Sequence, residues 1–93
     1  MIQEFEVPKG ISSPHSIAVG VGGVVWFTEK VGKNLVMFDP EQQVFEAFPL
    51  PSDWGNLGPS RLALGPDGGV WFSVRRWADS LDGTWLLGRF DPA

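Results

Sequence analysis

No cysteine occurs anywhere in the 93 residues, which removes a disulfide framework, a thiolate metal site and a cysteine nucleophile together. Positive charge is scarce as well: seven Lys and Arg stand against eleven Asp and Glu, for a net charge of −4. That charge is spread evenly, five acids and three bases in residues 1–43 and six and four in residues 44–93, so no basic stripe marks a nucleic-acid partner. Long apolar runs are missing, which excludes a membrane-spanning helix. The opening Met1-Ile2-Gln3-Glu4-Phe5-Glu6 has neither the basic nor the apolar region of a signal peptide, so the expected location is cytoplasmic, with no membrane partner. Sustained helical periodicity is absent too. What remains, 43% hydrophobic and 19% charged residues, is the balance of a chain that buries a core.

Laid on itself, the chain repeats. Pro14-His15-Ser16-Ile17-Ala18-Val19-Gly20 matches Pro59-Ser60-Arg61-Leu62-Ala63-Leu64-Gly65, and Val25-Trp26-Phe27-Thr28 matches Val70-Trp71-Phe72-Ser73, at an offset of 45. Residues 1–8 match 44–51 at an offset of 43, and Phe38-Asp39-Pro40 matches Phe90-Asp91-Pro92 at 52. Two insertions in the second copy account for the drift: two residues within 52–58 and seven between Arg75 and Leu86. Repeat units vary in their loops in this way, and a period in the forties belongs to solenoids or propellers. The chain is read as a first repeat, residues 1–43, and a second, residues 44–93, with a loop insertion at about 76–85.

Strand signals choose the propeller. Short runs of β-branched and aromatic residues, bounded by Gly, Pro, Asp and Asn, predict strands at 3–7, 16–20, 24–29, 35–38, 44–50, 61–65, 70–74 and 85–90. Eight strands make two four-stranded antiparallel blades of an all-β partial propeller. Val24-Val25-Trp26-Phe27 is apolar on consecutive residues, as a strand buried on both faces must be. With the innermost strand of each blade following Pro14 or Pro59, the chain opens on an outermost strand and ends on the third strand of its second blade.

The string Pro14-His15-Ser16-Ile17-Ala18, a glycine turn, Val25-Trp26-Phe27-Thr28-Glu29, Asn34-Leu35 leading to Phe38-Asp39-Pro40, and Phe45-Glu46-Ala47-Phe48-Pro49-Leu50-Pro51 resembles one blade of the streptogramin (virginiamycin B) lyase family. The second copy, with Gly65-Pro66-Asp67-Gly68-Gly69 and Leu87-Gly88-Arg89-Phe90, fits about as well. Similar repeats occur in gluconolactonase-like and NHL propellers, so the motif speaks more to fold than to reaction. What the lyase resemblance implies is a carbon–oxygen lyase of antibiotic resistance, opening a cyclic depsipeptide at its ester bond by elimination with Mg²⁺ and a histidine base. The family's Glu-Pro-His motif maps that base to His15. The glutamate ending its Trp-Phe-x-Glu strand, a metal-side group, maps to Glu29. The motif's own first glutamate is Ser13 here, and the second copy carries Ser60 and Val74 at the two site positions.

The residues themselves add a geometric expectation. With a hairpin turn centred near Gly22, positions whose numbers sum to about 44 lie opposite one another, which sets His15 across from Glu29. A carboxylate there would orient the imidazole, preparing a base. Arg75, Arg76 and Trp77, with the acidic stretch that follows, form a candidate ligand-contacting lip. Two classes of function stay open: a lyase-like enzyme acting on a small molecule, and a non-catalytic propeller scaffold or ligand-binding module, the chain in either case being a complete protein or a fragment of a longer propeller. Two blades leave apolar faces uncovered, and repeat units need about three neighbours. A complete chain is therefore expected to close a ring as a homo-oligomer, three copies making six blades or four making eight.

Overall fold

In the computed structural model, residues 1–11, 13–51, 58–75 and 85–92 are described, Arg75 by its backbone alone. Among them the chain forms seven strands: β1 (Pro14–Val19), β2 (Val25–Glu29), β3 (Asn34–Asp39), β4 (Val44–Pro49), β5 (Pro59–Leu64), β6 (Val70–Arg75) and β7 (Trp85–Phe90). They make two antiparallel meanders, a four-stranded sheet in the order β1-β2-β3-β4 and a three-stranded sheet in the order β5-β6-β7. Each sheet begins one strand later than the sequence repeat, because β4, whose residues open the second repeat, pairs with β3 from Asn34↔Pro49 to Asp39↔Val44. No helix among the described residues is long and apolar enough to cross a membrane.

The first turn of each sheet follows from its glycines. Gly22 and Gly23 have φ of 77° and 81°, and Gly68 has φ of 87°, values that L side chains rarely adopt. The two turns close with one pattern: Gly20 N–H donates to Val24 O and Gly65 N–H to Gly69 O, at 2.6 and 2.8 Å. The β3–β4 turn is held by Asp39, whose Oδ1 accepts from the N–H of Glu41 at 3.0 Å, an Asx-type turn.

The sheets stack face to face with their first strands adjacent. Trp26, Leu35, Val70, Phe72 and Val74 are all buried in the layer between them. Trp26 lies 6.1 Å from Phe48 of its own sheet and 5.8 Å from Phe90 of the other, ring centre to ring centre. Between the sheets, Thr28 Oγ1 of β2 donates to Ser60 O of β5 at 3.2 Å, and Leu62 N–H of β5 donates to Ser16 Oγ of β1 at 3.4 Å. β2 is buried on both faces from Trp26 to Glu29, as its unbroken apolar run requires.

One expected strand is not formed. Residues 3–7 take no strand pairing; instead Phe5 lies on Phe38, ring centres 5.0 Å apart, on the outer face of the first sheet. The second sheet consequently has three strands and ends at β7. A strand forms only against a partner edge. In this chain residues 3–7 lie on a sheet face.

Candidate functional site

β1 starts and β2 ends at the same end of the first sheet, and this is where His15 and Glu29 stand. Pairing down the hairpin runs Val19↔Val25, Ala18↔Trp26 and Ile17↔Phe27, then slips by one, so that Pro14 opposes Glu29. His15 and Ser16 together face Thr28, a β-bulge. The expected opposition of His15 and Glu29 is thereby corrected. Its cause is local: Pro14 has no N–H to give the ladder, and the N–H of Ser16 turns to Thr28 Oγ1 at 3.0 Å. The second sheet slips at the equivalent place, between Pro59↔Val74 and Arg61↔Ser73, leaving Ser60 as its extra residue.

The bulge separates the two side chains by environment. His15 is exposed. Glu29 is 1% exposed and accepts a hydrogen bond from Asn34 Nδ2 at 2.6 Å. Its carboxylate also lies against Gly32, where a Cβ would collide with it. Glu29 thus braces the β2–β3 turn from beneath. The residues present do not fit a Mg²⁺ ion: Glu29 is committed to Asn34, the companion carboxylate position is Ser13, and no group of three His, Cys, Asp or Glu among the described residues could hold a metal.

His15 borders an apolar groove of about 420 Å³ on the outer face of the first sheet, walled by Ile17, Phe27, Phe38, Phe45 and Phe5. The candidate lip of Arg75, Arg76 and Trp77 lies outside the described residues except for the backbone of Arg75, as does the insertion up to residue 84.

Sequence reading missed two arrangements. Ser16, Thr28 and Ser60 bond the inner strands to one another, and the only hint of it was the hydroxyl shared by Thr28 and Ser73 at one repeat position. The other is at the opposite end of the second sheet, where Arg89 pairs with Asp67 at 2.7 Å and covers the ring of Trp71 at 5.8 Å. The Asp67 carboxyl is held below its ordinary value, first by the N–H of Gly69 and then by Arg89.

Two antiparallel meanders, stacked face to face with their first strands side by side, are blades of a β-propeller. Solved structures similar to the chain say which propellers share this geometry. A streptogramin B lyase structure is 24% identical with a TM-score of 0.64, over 91% of this chain and 29% of that one. The selenomethionine-substituted virginiamycin B lyase from Staphylococcus aureus is 21% identical with a TM-score of 0.62, over 85% of this chain and 27% of that one. The likeness is one of fold, and the chain spans under a third of the length of either protein. No family model and no curated protein matches the chain.

Proposed function

We propose that this chain is a blade pair of a lyase-like propeller acting on a cyclic ester, and that His15 is the group it brings to the substrate. The observation that carries this reading is the bulge, which sets His15 apart and exposed at the end of the first sheet. Bulges re-aim side chains in this manner next to active sites. The chemistry proposed is an elimination: the imidazole takes the proton α to a carbonyl, a C=C bond forms, and the ester oxygen leaves from the β carbon as a carboxylate. No water is consumed.

A second reading has its own support, namely that Glu29 is buried and bonded to Asn34 and that Ser60 and Val74 hold the site positions of the second blade. On it, the chain belongs to a propeller that binds an apolar ligand without turning it over. One assay separates the two. Incubated with a streptogramin B, with and without added Mg²⁺, the protein should linearise the ring, and His15→Ala should lower the rate by about 10²-fold or more, as expected for a positioned base. An unchanged rate removes His15 from the chemistry. Saturable binding without linearisation supports the second reading.

A further inference from the structure

The repeat equivalences, applied to the folded chain, show which of its surfaces are incomplete. Trp26 and Trp71 occupy the same position in their sheets, yet Trp26 is 4% exposed and Trp71 44%. Leu35 and Leu87 are likewise equivalent, at 1% and 78%. The β5–β7 sheet covers the face that carries Trp26 and Leu35, whereas among the described residues no sheet covers the face that carries Trp71 and Leu87. Residues 1–8 are out of place by the same logic. They are equivalent to residues 44–51, which contain β4, the outer strand beside β3. Phe5 corresponds to Phe48, the ring beside Trp26, and the corresponding strand position is the open edge of β7, beside Trp71.

Residues 1–8 cannot fill that edge in their own chain. β4 leads into β5, whose sheet packs behind the Trp26 face of the β1–β4 sheet. By the same relation, residues 1–8 lead into β1 from a sheet lying on the opposite, outer face of β1–β4, the face of Phe27, Phe38 and Phe45. The chain's own β5–β7 sheet is on the other side. We propose that a second copy of the chain supplies the missing sheet: residues 1–8 leave the outer face, pair with β7 of the second copy, and set Phe5 beside that copy's Trp71, while the vacated face receives the second copy's Trp71 and Leu87.

Within the chain, Met37 and Asp91 border one cleft between the sheets; at the junction between copies their equivalents are Arg89, which Asp67 of its own sheet already pairs at 2.7 Å, and Asp39. The two surfaces differ, so the contact is heterologous and closes as a ring of about three or four copies.

Light scattering of the whole chain and of two variants tests this. The unaltered chain should have the mass of three or four copies. Phe5→Asp damages the strand side of the contact and Trp71→Asp the face side, and each variant alone should run as a monomer with an unchanged circular dichroism spectrum. Mixed, they still possess one intact pair of surfaces, so they should form a heterodimer. A monomeric unaltered chain at about 100 μM overturns the proposal. So does an oligomer whose mass neither variant changes, or a mixture of the variants that fails to associate.

Discussion

Gly58 shows how a single residue can hold two blades in register. Its N–H donates to Lys30 O at 2.8 Å, joining the start of the second blade to the β2–β3 turn of the first. A Cβ added there would collide with Lys30 O and stand 2.7 Å from both Glu29 O and Lys33 Cα. These are backbone atoms, which cannot swing aside as a side-chain tip would. Gly58→Ala should therefore lower stability by about 1–3 kcal/mol, the range of overpacking in a close-fitting site, as read from the midpoint of urea unfolding. Gly32→Ala would drive its Cβ into the Glu29 carboxylate, which is buried and bonded to Asn34, and should lower stability as well. Glu29 itself is the residue whose reading changed most. In the sequence it ends a strand and matches a family position; in the fold it is a buried brace, because the turn that follows folds back over its carboxylate.

Among the elements, the hairpin between β3 and β4 departs from its own preferences, as the β2–β3 turn does at Lys33, with φ of 61°. Asp39 caps the β3–β4 turn well, but Gln43, where that turn enters β4, has φ of 57°. For a residue with a side chain the left-handed region costs about 1–2 kcal/mol, and glycine gives back about 0.5–1 of that in unfolded-state entropy. Gln43→Gly should raise stability by roughly 0.5–1 kcal/mol, seen as a higher melting temperature. A lower one would mean that the Gln43 side chain has a role in the sheet. The β1–β2 hairpin departs differently. Its residue count is right and its turn is where the glycines set it, yet the register slips at Pro14. Summing positions across a turn assumes an unbroken ladder, and a proline at the strand's start together with a threonine hydroxyl facing it is enough to break one.

For the whole molecule, the two equivalent tryptophans are an internal control. Trp26 is packed between Phe48 and Phe90, whereas Trp71 has the guanidinium of Arg89 over its ring and is 44% exposed. In dilute protein, Trp26→Ala should cost about 3–5 kcal/mol, the usual loss for truncating a buried aromatic. Trp71→Ala should cost about 1 kcal/mol or less, what an exposed cation–π contact contributes. Equal losses in urea unfolding would mean that Trp71 is covered in solution even at low concentration. Much of this molecule was legible beforehand, because period, strand type and turn glycines are local signals: β2 to β7 fall within one or two residues of their expected limits, and the double burial of β2 follows from Val24-Val25-Trp26-Phe27. Three things were decided only by tertiary structure. The bulge depends on a hydroxyl across the hairpin, so His15 and Glu29 part company. The resting place of residues 3–7 depends on which edges and faces are free once the sheets have stacked, and Phe38 offers a face. The contrast between Trp26 and Trp71 depends on a neighbouring sheet that no local pattern encodes, since equivalent strands are buried or exposed according to what packs against them.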